Sequence, residues 1–181
     1  FPDHLSFANI INPSSYSSKL FFNNYSAGIV FSLCILAFTG IYYSLINNSG
    51  YFIAFPHLDF NQLLTYNPLL YILSSGIHST LLNVFPYILL VLFFYLLTSS
   101  KVISISMASL LISIQAALDT DPIFFGGIYL FIIGIASGYI LFRFGILSLL
   151  VSTFCVFILS LVFLYFYSSQ VYYVTTGIIL I

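Results

Sequence analysis

Glutamate and tryptophan are absent from this 181-residue sequence, and charged residues of any kind are scarce. It contains three basic and four acidic residues, which are Lys19, Lys101, Arg143, Asp3, Asp59, Asp119 and Asp121. Charged residues make up 4% of the chain, whereas about a quarter is usual in a water-soluble domain. So few charges cannot cover a surface that faces water. The net charge of −1 also excludes a basic surface for nucleic acid.

Cysteine is nearly absent, and no pattern of metal ligands is present. Cys34 and Cys155 each stand alone in an apolar run, without a second cysteine or a histidine at metal-binding spacing. His57 and Asp59 share a polar stretch, but a metal site needs more ligands than these two. We therefore expect no metal site.

Motifs of catalysis are missing too. The sequence has no GxSxG or HExxH motif, no carboxylate pair inside an apolar run and no glycine-rich phosphate loop. Asp119 and Asp121 flank a threonine just before Pro122, where acidic residues commonly begin a helix. We therefore expect no catalytic residues and no catalytic activity of the chain's own.

Apolar residues dominate what remains. They make up 61% of the chain, and the mean hydropathy is +1.15. Several apolar runs reach the ~20 residues that a transmembrane helix needs. Backbone polar groups in hydrocarbon must bond within the segment, which favours helices, and the alternating segments of a transmembrane barrel are not seen. The sequence predicts an all-α, polytopic transmembrane bundle of about five to six helices.

Turn residues set the expected boundaries. We expect a surface segment over 1–24 and a single transmembrane domain over 25–181. The expected spans are about 25–46, 68–98, 102–118, 123–142 and 145–167, with a partial span at 171–181. The run at 68–98 is too long for an upright span, so we expect either a tilt or a bend at Pro86. The three cations leave the orientation open.

A few polar residues inside or beside the apolar runs are the candidate functional residues. His78 could bind a haem, ligate a metal or relay a proton, or it could simply bond to a backbone carbonyl near a helix end. Arg143 is expected to anchor at the headgroups, or to pair with Asp119 or Asp121. Gly134 and Gly138, four residues apart, predict a helix-packing face against this chain or another subunit.

The N-terminal third resembles cytochrome b of the bc1/b6f type. Pro13-Ser14, Asn24 and Thr39-Gly40 follow one another in that family's order and at similar spacing. His78 then falls at about the distance of the first haem-ligand histidines, whereas Leu92 stands at the second histidine position of the same helix. The resemblance implies a degenerate relative that cannot hold the family's two haems.

Two later registers of this resemblance compete. Gly138-Tyr139-Ile140-Leu141 is similar to the end of the family's third helix, but Phe142-Arg143 replaces the expected Pro-Trp. Alternatively, Arg143-Phe144 resembles the opening of the fourth helix, and the histidine positions are then Ser148 and Val162.

A second resemblance involves the glycine segment. Gly134, Gly138, Arg143, Gly145 and Leu147 are spaced as in the final segment of the CAAX-protease-like intramembrane proteins. The paired glutamates of that family are missing, and Phe154 and Ile158 occupy its histidine and asparagine positions. This resemblance implies an inactive protease.

Both resemblances lack the residues that would perform chemistry, which favours an accessory role. We expect a non-catalytic scaffold subunit of a respiratory or other energy-transducing membrane complex, in contact with other membrane subunits and with lipid. We expect no cofactor of its own. The expected location is the mitochondrial inner membrane or a prokaryotic plasma membrane. Two alternatives stay open: a haem- or quinone-binding subunit that uses His78, and a small transporter or channel subunit with a cavity lined by Asn83, Gln115 and serines.

Overall fold

The computed structural model describes residues 19–48, 68–117 and 123–167, and every regular element within these ranges is an α-helix. The helices are α1 (Lys19–Asn48), α2 (Pro68–Thr98), α3 (Lys101–Ala117), α4 (Ile123–Phe144) and α5 (Ile146–Tyr167). The all-α fold class expected from the sequence is confirmed. The partial span expected at 171–181 lies outside the described residues, as do Asp3, His57, Asp59, Asp119 and Asp121.

Three of the helices are long and apolar enough to cross a membrane. The spanning stretches are Phe21–Ile46 in α1, Ile72–Thr98 in α2 and Phe124–Phe144 in α4. Shorter apolar stretches occur in α3 (Lys101–Gln115) and in α5 (Ile146–Ser160). The chain is thus a membrane protein, in which each helix bonds its own backbone polar groups without help from water.

Helix α1 begins earlier than its apolar run. It starts at Lys19, whereas the sequence places the first span at about 25 and a surface segment before it. The difference covers the polar pair Asn23 and Asn24. The Ser148 hydroxyl in α5 donates to the Asn24 backbone carbonyl at 2.7 Å, so this first part of α1 packs against another helix. A tertiary contact extends the helix beyond the residues that apolar patterning marks.

Helix α2 continues through Pro86 as a single 31-residue helix. Proline has no N–H group, so the carbonyl of Leu82 lacks its usual partner four residues later. At about 1.5 Å per residue the helix is about 46 Å long, which exceeds the ~30 Å hydrocarbon thickness. The helix therefore tilts, bends or projects beyond the hydrocarbon, as its sequence length suggested.

Two very short connections reverse the chain. Ser99 adopts a left-handed conformation (φ 54°), and its N–H donates to the Tyr95 carbonyl at 2.9 Å to end α2. Gly145 separates α4 from α5 with φ 91°, a conformation that favours glycine, and its N–H donates to the Leu141 carbonyl at 3.1 Å. Connections this short fix the two helices on either side as neighbours.

The helices alternate in direction. In the α2–α3 hairpin, Tyr87 faces Ser109, and in the α3–α4 pair Ser109 faces Gly134. Helix α1 runs parallel to α5, since Asn24 meets Ser148 and Gly28, one turn later, meets Val151. The starts of α1, α3 and α5 and the ends of α2 and α4 therefore lie at one end of the bundle.

The buried apolar core forms where α2 meets its neighbours. Helix α2 packs against both α3 and α5, while α1 lies mainly against α5. The core residues come from four helices and are Val84, Tyr87, Ile88, Val91, Ala108, Ile140, Leu141, Ile146 and Leu149. Helix α1 contributes Phe31 at its edge. The core is thus built around the C-terminal half of α2.

Glycines set the closest helix contacts outside this core. A Cβ atom at Gly28 would lie 2.8 Å from the Ser148 backbone oxygen and 2.9 Å from Cβ of Val151. A Cβ atom at Gly76 would lie 3.1 Å from the ring of Phe154. Helix α1 therefore approaches α5 as closely as a residue without a side chain allows.

Gly28→Ala should destabilise the bundle, and Gly40→Ala in the same helix should not. The new methyl group at position 28 meets a backbone oxygen that cannot move alone, so we expect a loss of about 1–3 kcal/mol in the free energy of unfolding. Nothing lies within 4 Å of a Cβ atom at Gly40. Denaturant titration of both purified variants in detergent checks this. Equal stabilities would contradict the α1–α5 packing.

Candidate functional site

The Tyr87 hydroxyl joins three helices, α2, α3 and α4. It donates a 2.6 Å hydrogen bond to the Gly134 backbone carbonyl in α4. It also lies 3.4 Å from the Ser109 hydroxyl in α3, where either oxygen can be the donor. Both Tyr87 and Ser109 are buried. The phenol therefore satisfies its hydroxyl inside the bundle, as a buried tyrosine requires.

Gly134 and Gly138 lie where α4 contacts α3 at this junction. A Cβ atom at Gly134 would lie 2.7 Å from Cβ of Ser109, and one at Gly138 would lie 2.5 Å from Cγ2 of Ile105. A Cβ atom at Gly138 would also lie 2.6 Å from the Tyr87 hydroxyl oxygen. The structure therefore places both glycines against α3 of the same chain, where the sequence left open a partner in this chain or in another subunit.

His78 lies on the exposed side of α2. It stands twenty residues before Thr98, about 30 Å along an α-helix, and falls within the membrane-spanning stretch Ile72–Thr98. Among residues 19–48, 68–117 and 123–167, no group of three His, Cys, Asp or Glu side chains is close enough to hold a metal ion.

In the cytochrome b resemblance, His78 and Leu92 stand at the two histidine positions of α2, and a leucine side chain cannot ligate iron. The exposed position of His78 also leaves it outside the buried core formed by residues such as Val84 and Val91.

Arg143 is exposed in the last turn of α4, and Lys101 begins α3 at the same end of the bundle. The Lys101 amine lies 5.7 Å from the centre of the Phe142 ring, within the range of a cation–π contact. Asp119 and Asp121, the partners that the sequence suggests for Arg143, lie outside the described residues.

Asn83 and Gln115, the expected lining of a polar cavity, are both exposed. The Asn83 amide donates to the Ser79 carbonyl one turn earlier at 2.8 Å. Asn83 lies fifteen residues from the end of α2, and Gln115 fourteen from the start of α3, which is about 21–22 Å along each helix. The two amides thus stand at the same level of the α2–α3 hairpin, on its surface.

Sequence reasoning missed the contacts between α1 and its neighbours. The Thr39 and Tyr129 hydroxyls are 2.7 Å apart and link α1 to α4. The Tyr129 ring stacks on Tyr42 with 4.2 Å between ring centres, and on Phe38 at 5.8 Å. A threonine and scattered aromatic residues carry no spacing signal, and the sequence points to Thr39 only through the Thr39-Gly40 pair of the cytochrome b resemblance.

No protein family matches the sequence, and comparison with curated proteins and with solved structures finds no match. The resemblances to cytochrome b and to the CAAX-protease-like proteins therefore rest on their short motifs alone.

Tyr87→Phe should weaken the α2–α3–α4 junction. Loss of the hydroxyl removes the bond to the Gly134 carbonyl while the ring keeps its place, so we expect a loss of about 0.5–1.5 kcal/mol in the free energy of unfolding. Tyr95→Phe is the matched control, because the ring of Tyr95 packs on Phe142 at 5.7 Å and survives the substitution. Denaturant titration in detergent compares the two. A larger effect at position 95 than at 87 would contradict the assigned role of Tyr87.

Proposed function

We propose that the chain is a non-catalytic integral membrane subunit, a scaffold or accessory component of a larger membrane complex. One observation carries the proposal: buried hydroxyl groups of the described residues bond from one helix to another. Tyr87 bonds the Gly134 carbonyl, Ser148 bonds the Asn24 carbonyl, and the Ser104 hydroxyl in α3 lies 3.2 Å from the Thr98 hydroxyl in α2. Hydroxyl groups used in this way are not available to a substrate.

The exposed surface supports the same proposal. It is apolar over much of α2, α3 and α4, with large side chains such as Leu96, Val102 and Phe124 more than 70% exposed. Contact with lipid alone would be sufficient for these apolar side chains. The exposed amides of Asn83 and Gln115, about 21–22 Å from one end of the bundle, are costly to leave in hydrocarbon. A neighbouring membrane subunit would supply hydrogen-bond partners at that level.

We further propose an energy-transducing complex as the host, in a mitochondrial inner membrane or a prokaryotic plasma membrane. This part of the proposal is supported by the cytochrome b resemblance of the N-terminal third and by the apolar composition. Its second candidate is a subunit that presents His78 to a haem held by a partner, since an exposed imidazole is open to another chain.

Extraction from native membranes in a mild detergent should recover the chain in a large assembly. We expect native electrophoresis and mass spectrometry to place this 20.3 kDa chain in one band with other membrane subunits. Its deletion should remove or destabilise that band. A chain that runs alone, monodisperse and stable, would contradict the accessory role.

His78→Leu should leave the haem content of that assembly unchanged, because the proposal gives His78 no cofactor. Haem staining of the native band and its Soret absorbance measure this. Leu82→His is the matched control, one turn along the same exposed side of α2, and it should also leave both signals unchanged. Loss of a Soret band in His78→Leu alone would favour the haem-binding candidate.

A further inference from the structure

We propose that the end of the bundle formed by the start of α1, the α2–α3 turn and the α4–α5 turn faces the cytoplasm or, in an organelle, the matrix. The inference concerns orientation and does not depend on the proposed function. It follows from where the helix directions place the three cations of the chain.

All three cations fall at this one end. Lys101 begins α3 directly after the α2–α3 turn, and Arg143 lies in the last turn of α4. Phe142 connects the two, since the Lys101 amine lies over its ring. Lys19 begins α1 five residues before Asn24, whose carbonyl bonds Ser148 in the first turn of α5. The same level of the bundle thus carries every lysine and arginine of the sequence.

The segments that leave the other end carry no cation. They are residues 49–67 after α1, 118–122 after α3 and 168–181 after α5, and none contains lysine or arginine. Three of the four aspartates, Asp59, Asp119 and Asp121, fall in the first two of these segments. Only Asp3 precedes α1, and acidic residues contribute little to orientation.

The positive-inside rule predicts the orientation of the chain from this distribution of lysine and arginine. Lysine and arginine in short connections are retained on the cytoplasmic side during insertion, and both turns at the cationic end are two residues or fewer. The side chains of Lys101 and Arg143 are exposed, so anionic headgroups of the inner leaflet can reach them.

Thiol labelling of the full chain in the plasma membrane of bacterial spheroplasts tests the orientation. The native thiols are first removed by Cys34→Ser and Cys155→Ser. One reporter, Ser99→Cys, uses an exposed residue of the α2–α3 turn, and the other, Asn48→Cys, uses the last residue of α1 at the opposite end. A membrane-impermeant maleimide should label Asn48→Cys in intact spheroplasts and Ser99→Cys only after lysis.

The opposite pattern would overturn the proposal, and so would equal labelling of both reporters in intact spheroplasts. Labelling in denaturing detergent confirms that each thiol is present and reactive. If Asn48→Cys stays unlabelled in intact spheroplasts but reacts in denaturing detergent, the end of the bundle that holds Asn48 does not face the outside, and the proposal is wrong.

A charge exchange tests the cause. Lys101→Gln and Arg143→Gln remove two cations from one end, and Asp119→Lys and Asp121→Lys place two at the other. We expect labelling of Asn48→Cys from outside to fall and labelling of Ser99→Cys to rise. The four substitutions affect exposed or connecting residues and leave the Tyr87 junction intact. Labelling that does not change would show that these charges do not set the orientation.

Discussion

Close approach between helix backbones is the constraint on which this bundle depends. Lipid is as apolar as leucine, so burying apolar side chains adds little to helix association in a membrane, and contact between small residues must supply it. Gly28, Gly76, Gly134 and Gly138 each leave no room, or very little, for a Cβ atom. They join α1 to α5, α2 to α5, and α4 to α3, and the short α2–α3 and α4–α5 connections link these two groups of helices.

Hydroxyl groups complete these contacts and at the same time explain the absence of a recognisable active site among the described residues. Some buried serines donate to a carbonyl one turn earlier in their own helix, as Ser32 does to Ile29 at 2.7 Å and Ser113 to Leu110 at 2.8 Å. The hydroxyls of Thr80 and Ser152 are buried and have no hydrogen-bond partner among the described residues. A polar group satisfied locally stabilises a helix and leaves nothing for a ligand to bind.

The helices could be predicted from the sequence, but most of the contacts between them could not. Long apolar runs admit only helices in hydrocarbon, so the all-α fold class could be predicted from composition. Gly134 and Gly138 could be predicted as packing residues because they stand four residues apart, on the same face of a helix. Gly28 and Gly76 could not, because each stands without a second glycine at that spacing and acts through what it faces on α5. The bond between Ser148 and the Asn24 carbonyl is invisible for the same reason, since a backbone acceptor leaves no trace in a sequence.

Gly40 differs from the four packing glycines and bears on the proposed accessory role. It lies inside α1, where glycine is less favourable than alanine by about 1 kcal/mol, yet nothing lies within 4 Å of its Cβ position. Ala37 and Ser44, one turn to either side, are also small and exposed. By contrast, a Cβ atom at Gly28, Gly76, Gly134 or Gly138 would meet atoms of a neighbouring helix. Among the described residues no helix covers this exposed face of α1, which packs mainly against α5, and the proposed accessory role would place a helix of another subunit there.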